Sequence, residues 1–457
     1  MRKFLFFAAF LMLGICLNAQ TWTEQNTNMP GTSIGVDQVS VVDSNIVWVN
    51  GFNGAGTPYR LKLNSRTQDG GNTWVAGSYN GFGATVFPQV LTGVTYNKAF
   101  AIAMDTATGG FASFWKTTDG GANWSLVTNV MNSGATTFAN AVLFWNQNKG
   151  FCMGDPVNNK FDIYTTTDGG TTWTAVPAAN ITAPLSGEYG YNGYECASKY
   201  DGGKAAFITN KGRVYVTSNY GLNWTVTASA PFADVATGKI YINGNNRMIV
   251  AGMATGASTY TWKQTTDGGA SWTAYAPTGT FYQYAMTYVP NTGNMLVSTS
   301  PFTTAKGVSY SNDNGASWTD FTDVILQPTV GSNIQCLGVG FADINNGWVG
   351  NYATGANTIL KYKNFINTTG ISQTTAVSGN LEIYPNPSDS KVNFTMSGNN
   401  SANLSIFDIT GKTIYNHNYQ LNGILKTSFD FSDYAKGIYF VKLTNGNEIT
   451  IKKLIIR

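Results

Sequence analysis

The sequence predicts an all-β protein, a seven-bladed β-propeller followed by a small immunoglobulin-like β-sandwich, and three observations carry that expectation. Charged residues make up only 11% of the 457 residues, while Gly reaches 51 and aromatics 14%, a composition that suits strands and tight turns better than helices. An eight-residue unit, TTDGGANW at Thr117–Trp124, recurs as TTDGGTTW and TTDGGASW, with looser copies ending at Trp74, Trp224 and Trp318. Successive motif tryptophans stand 46 to 51 residues apart, the length of one four-stranded propeller blade.

The N-terminus, MRKFLFFAAFLMLGICLNAQ, has a basic start, an apolar run from Phe4 to Leu17 and a small residue at Ala19. It reads as a cleaved secretory signal over 1–19, because the run is too short for a permanent membrane span. Cys16 is a poor lipid-anchor site, since Ile15 stands where a small residue is needed. No later stretch reads as a transmembrane segment. Without Arg2 and Lys3 the chain carries 25 basic and 24 acidic residues, a balance that offers no electrostatic case for nucleic acid or an anionic membrane. Cys152, Cys196 and Cys336 are odd in number and widely spaced, so they read as small buried hydrophobes, with a Cys152–Cys196 bridge as the alternative.

The propeller is expected over 20–366. Two alternating apolar runs precede every motif, as VDQVSVV and NIVWVNG do first and VLTGVTYN and KAFAIAM do next, which is the period-2 signal of strands. A seventh pair, QCLGVGFAD and NGWVGNY, is followed by NTILKYKNF but by no motif. The missing piece lies at the other end: TWTEQNT resembles the segments just after the motif tryptophans, and Trp22 precedes Trp74 by 52 residues. The N-terminal strand is therefore expected to complete the last blade and leave no free edge.

The pattern Ser/Thr-x-Asp-x-Gly-x-x-Trp resembles the Asp-box, or BNR repeat, of sialidases, sortilin-type receptors, xyloglucan-cleaving glycoside hydrolases and photosystem II assembly-factor-like propellers. Five copies keep the acid, at Asp69, Asp119, Asp168, Asp267 and Asp313, and Asn219 replaces it in the fourth. All six keep the tryptophan, at Trp74, Trp124, Trp173, Trp224, Trp272 and Trp318. A short carboxylate or amide accepts hydrogen bonds from turn N–H groups, glycine supplies positive φ, and the indole fills the seam between sheets. Such a carboxylate is a structural staple, not a general acid or a metal ligand.

After a polar linker over 367–378, residues 379–457 alternate strictly, and Asn445-Gly446 marks a hairpin. YPNP at Tyr384–Pro387, IFDITGK at Ile406–Lys412, GIYFVKL at Gly437–Leu443 and the terminal KKLIIR resemble the type A C-terminal sorting domain of the type IX secretion system of Bacteroidetes. That resemblance implies passage through the periplasm, an outer-membrane translocon as partner, and a final place outside the cell or on its outer surface. The competing reading is an accessory sandwich that binds substrate.

The only histidine, His417, lies outside the propeller, so no Ser-His-Asp or Cys-His pair is available there, and neither cofactor nor metal is expected. Sialidases hold their substrate carboxylate with an arginine triad, and the propeller span offers only Arg60, Arg66, Arg213 and Arg247. Function is expected on the face opposite the Asp-box turns, where the loops after second and fourth strands gather. GDPVNNKF and PAANITAPLSGEYGYNGYE place Asp155 and Glu188 on adjacent blades there, near Asp105 of MDTATGG. Rings at Tyr79, Phe82, Phe87, Tyr189, Tyr191, Tyr194, Phe281 and Tyr282 suit carbohydrate stacking or protein contact.

The expectation is a monomeric surface or secreted module that recognises a glycan or a protein through Asp105, Asp155, Glu188, Tyr189, Tyr191 and Tyr282. The alternatives are a glycoside hydrolase using Asp155 and Glu188 as its acid and base, and a scaffold assisting assembly of surface complexes. The Asp105-Thr106-Ala107 triplet also resembles the O-glycosylation pattern of Bacteroidetes exported proteins, with Thr106 as acceptor.

Overall fold

A computed structural model describes residues 22–54, 56, 59–107, 111–128, 130–131, 138–244, 246–302, 305–322, 335–352, 357–362, 381–398, 401–408, 412–445 and 448–457. The leader over 1–19, the linker over 367–378 and Gly446 of the expected hairpin lie outside these residues. Contacts divide the chain into two units, Met1–Phe365 and Ile366–Arg457. Among the described residues the regular elements are strands and a single 3-10 turn at Ala178–Asn180, and no helix is long and apolar enough to cross a membrane.

The first unit contains seven sheets among its described residues. The first sheet runs Ile34–Val41, Val47–Asn53, Arg60–Thr67 and Val75–Ser78, each strand antiparallel to the one before. Five sheets repeat this order, beginning with Val86–Gly93, Ala139–Phe144, Ala197–Tyr200, Thr237–Asn243 and Ala285–Tyr288. The seventh takes Gln335–Asp343, Asn346–Tyr352 and Thr358–Tyr362 from the end of the unit and Trp22–Asn26 from its beginning, with Trp22 opposite Tyr362. The first strands touch one another in cyclic order, that of the seventh sheet meeting that of the first. Packed between neighbours, these strands are buried on both faces, as the pattern of Thr237–Asn243 shows. That is why they read as near-continuous apolar runs.

Each Asp-box closes the turn after the third strand. In the third copy Asp168 Oδ1 accepts from the Thr166 hydroxyl at 2.8 Å and from the Thr172 N–H at 2.9 Å. Its Oδ2 accepts from the Thr172 hydroxyl at 2.7 Å, and the Gly170 N–H donates to Thr166 Oγ1 at 2.9 Å. Two successive residues take the left-handed region, Gly169 and Gly170 here with φ of 69° and 75°. In the fourth and sixth copies the first of the two is Tyr220 or Asn314, at 61° and 60°. The second is glycine in all six copies, because a side chain there would meet the neighbouring sheet: at Gly170 a Cβ would lie 2.3 Å from the Phe100 ring.

The motif indoles fill the seams. Trp124 of the second sheet packs on Trp48 of the first, Trp173 on Phe100 and Phe114, Trp224 on Phe151, and Trp318 on the cluster holding Ile249 and Trp262. The seam between the sixth and seventh sheets has no motif tryptophan. Trp22 fills it, 1% exposed, with ring centroids 5.4 Å from Phe321 and 5.2 Å from Tyr362.

The second unit has a three-stranded sheet of Leu381–Tyr384, Lys391–Gly398 and Gly423–Asp430 and a four-stranded one ordered Thr413–Gln420, Ser401–Asp408, Gly437–Asn445, Glu448–Ile456. Leu381, Val392, Phe394 and Met396 from one sheet share a core with Leu404, Ile406, Val441, Leu443 and Leu454 from the other. Both X-Pro bonds of YPNP are cis. His417 lies on the edge strand Thr413–Gln420, its ring 4.6 Å from that of Tyr419.

Candidate functional site

The first strands of all seven sheets line a cavity of about 590 Å³. They run parallel to the third strands, which end at the Asp-boxes, so the first strands begin at the opposite end of the cavity. Near that beginning the register slips at Val36/Gln38, Pro88/Val90 and Ala139/Ala141 in three successive sheets. Each slip leaves one polar residue in a bulge, Asp37, Gln89 and Asn140, and a bulge re-aims the side chain it carries.

Two ion pairs lie at this end, and of their residues only Glu195 lines the cavity, together with Tyr194 and Tyr241. The buried Asp37 carboxylate meets Arg60 through Oδ2 at 3.0 Å, while its Oδ1 has its own main-chain N–H nearby but no hydrogen-bond partner. Burial raises the Asp37 pKa above its ordinary value despite the guanidinium. Glu195 pairs with Lys239 at 2.7 Å and accepts from the Tyr241 hydroxyl at 2.5 Å. The Lys239 ammonium also donates to the Tyr284 carbonyl and lies 5.1 and 5.2 Å from the ring centroids of Tyr260 and Tyr284. The Tyr194 hydroxyl bonds that of Tyr284. Tyr59, beside Arg60 at the rim, is 47% exposed. The cluster thus draws residues from the first, fourth, fifth and sixth sheets onto one point.

The residues singled out from sequence are placed differently. Glu188 is buried and engaged on both oxygens: Oε1 accepts from the Thr209 hydroxyl at 2.6 Å, and Oε2 from the Leu185 N–H at 2.7 Å and Arg213 Nη1 at 2.8 Å. Asp155 accepts from Asn140 Nδ2 at 2.6 Å and the Gly190 N–H at 3.0 Å, and its pKa is raised chiefly by burial. Both carboxylates therefore brace the loop around 185–190. Tyr282 is a correction: expected on the face, it is 7% exposed with its hydroxyl on Asp320 at 3.2 Å, so it packs its loop. Tyr79 is likewise interior, packed at a tilt between Phe82 and Trp124.

Tyr189 is exposed and meets Tyr191 edge-on at 5.9 Å. Asp105 accepts from the Ala107 N–H at 3.0 Å, forming a local turn, and the exposed Thr106 hydroxyl donates to Thr85 O at 3.1 Å. Cys152, Cys196 and Cys336 are free and buried, and burial pushes the Cys196 thiol up to about 12.

Asp37, Tyr59, Glu195, Lys239, Tyr241, Tyr260 and Tyr284 escaped the sequence reading. A signal was present for two of them, since Asp37 in IGVDQVSV and Lys239 in TGKIYIN are charges inside otherwise apolar inner strands, where an unpaired charge is costly. Tyr59 and Tyr284 are identified only by where the sheets converge.

These features define an Asp-box β-propeller with a charged, tyrosine-rich cluster at one end of its cavity, joined to a separate strand-built unit. Residues 382–457 match the secretion system C-terminal sorting domain, so the chain is exported by the type IX route to the cell surface or beyond. Residues 107–382 match the photosynthesis system II assembly factor YCF48, and the chain belongs to that family. Among solved structures it is similar to YCF48 bound to D1 peptide, at 14% identity over 76% of this chain and 98% of that one, TM-score 0.47. It is also similar to YCF48 from Cyanidioschyzon merolae, at 16% over 75% and 98%, TM-score 0.43. An ancestral GH74 enzyme matches at 14% over 95% of this chain and 64% of its own, TM-score 0.47. No curated protein matches the sequence.

Proposed function

We propose that the chain is a surface or secreted recognition propeller whose ligand, a polypeptide segment, docks at the channel mouth. On this reading the seven sheets are seven blades of a closed ring, and the C-terminal unit is a β-sandwich that addresses the chain to its translocon. The observation that carries it is the convergence of two ion pairs and five tyrosines where the inner strands begin. Membership of an assembly-factor family supports a polypeptide as ligand over a glycan. Hydrolysis is disfavoured because the Glu188 side chain is fully buried and already accepts from Thr209 on one oxygen and from Leu185 and Arg213 on the other, so it is not presented to a sugar.

The test uses the full chain on peptide and glycan arrays, assayed in parallel for reducing-sugar release from polysaccharides. Peptide binding without sugar release, unchanged in Asp155→Asn, is expected. Sugar release abolished by Asp155→Asn would overturn the reading in favour of a glycosidase.

A further inference from the structure

In the five acid-bearing Asp-boxes the second carboxylate oxygen is taken by the side chain four residues on. Thr73, Asn123, Thr172, Ser271 and Ser317 donate to Oδ2 of Asp69, Asp119, Asp168, Asp267 and Asp313 at 2.5 to 2.9 Å. The fourth copy breaks this pattern. Asn219 Oδ1 still accepts from the Thr217 hydroxyl and the Asn223 N–H, both at 3.0 Å, which fixes the amide so that Nδ2 takes the place of the second oxygen. Among the described residues neither that Nδ2 nor the Asn223 side-chain amide makes a hydrogen bond.

Both amides line a pocket of about 200 Å³ between the fourth and fifth sheets. The fourth sheet also contributes Lys204, Ser218 and Thr225, and the fifth the buried Ile242 and Met248. Ser218, Asn223 and Thr225 are exposed, so the pocket opens to solvent. Lys204 is half-buried with its ammonium 5.9 Å from the Tyr200 ring centroid, and it enters no ion pair among the described residues. No carboxylate lines the pocket among the described residues. Asp267, next to the lining Gly268, is engaged by Thr265 and Ser271 of its own turn. Asparagine at 219 therefore keeps the turn, removes a negative charge from the pocket wall and adds a donor to it.

We propose that this pocket binds a small organic carboxylate, its oxygens on Lys204 Nζ, Asn219 Nδ2 and the Asn223 amide and its carbon skeleton against Ile242 and Met248. An ammonium and two amide donors with no acid among them suit an oxyanion, because hydrogen bonds to a charged acceptor are the strong ones. The pocket has room for more than a single water-sized group, and its apolar wall favours a molecule with a carbon skeleton over sulfate or phosphate. The site lies on the Asp-box side of the sheets, so it adds to recognition at the channel mouth and does not depend on it.

The test titrates the full chain calorimetrically with acetate, lactate and glucuronate, with glucose and sulfate as controls. Saturable binding of at least one carboxylate, at least about ten-fold tighter than either control, is expected. Asn219→Asp restores the acid that the other five copies carry, so it is expected to keep the unfolding midpoint while weakening carboxylate binding at least about ten-fold. Lys204→Gln is expected to weaken it likewise. Absence of saturable binding by all three carboxylates, binding no tighter than that of glucose, or binding unchanged in Asn219→Asp would overturn the proposal. Sulfate binding as tight as that of the best carboxylate would overturn the choice of a carboxylate.

Discussion

At the scale of single residues, the Asp-box carboxylates act on their own turns. Asp119 is held down to about 2 by the side chain and amide of Asn123, and Asp168 to about 2 by the Thr172 amide. In Asp69 the bonds from Thr73 and Thr67 outweigh burial and reach the same value. The fourth copy is a natural control, since Asn219 Oδ1 keeps the bonds from the Thr217 hydroxyl and the Asn223 N–H, both at 3.0 Å. Asp168→Asn is therefore expected to cost little in urea unfolding, while Asp168→Ala, which strands the Thr172 and Thr166 donors, is expected to cost about 1–3 kcal/mol. Neither change should touch ligand binding. Because these carboxyls titrate below their ordinary value when folded, their contribution is complete above about pH 5 and fades as the pH falls toward about 2. A variant with Asn at positions 69, 119 and 168 is expected to show a flatter fall of unfolding midpoint with acid than the wild type. A fall of equal steepness would show that other groups govern the acid limb.

At the scale of strands and turns, the fold was legible where the signal is local. The Asp-box bonds join residues two to four apart, so each copy carries its whole geometry in eight letters, and Trp22-Thr23 repeats the start of the other post-turn strands. Parallel pairing of Thr278–Gly279 with Ser317–Trp318 was not legible, because two residues with no alternation carry no strand signal. It forms as the chain enters the sixth sheet, and the single bridge from Ile181 to Trp224 does the same for the fourth. The mouth was legible only in fragments, for its residues come from four sheets and become neighbours through closure alone. That dependence makes Trp22–Asn26 decisive. Trp22→Ala is expected to destabilise the protein by about 3–5 kcal/mol. Removal of residues 22–26 uncovers Thr358–Tyr362 as a sheet edge and should produce concentration-dependent association by light scattering. A monodisperse, equally stable truncation would contradict closure by that strand.

At the scale of the whole molecule, a repeated structural turn on one side leaves the other side free to vary, and the proposed function gives export to the second unit and recognition to the first. The inner strands fix the cavity wall, and Asp155 and Glu188 brace the loop around 185–190. Peptide binding should accordingly track the mouth and ignore the repeat. The most direct measurement compares wild type, Tyr59→Ala and Asp168→Asn full-length chains on one peptide array. The expected result is a set of signals that Asp168→Asn preserves and Tyr59→Ala reduces at least about ten-fold at an unchanged unfolding midpoint. Signals that survive Tyr59→Ala, or that disappear in Asp168→Asn while the fold stays intact, would contradict recognition at the mouth.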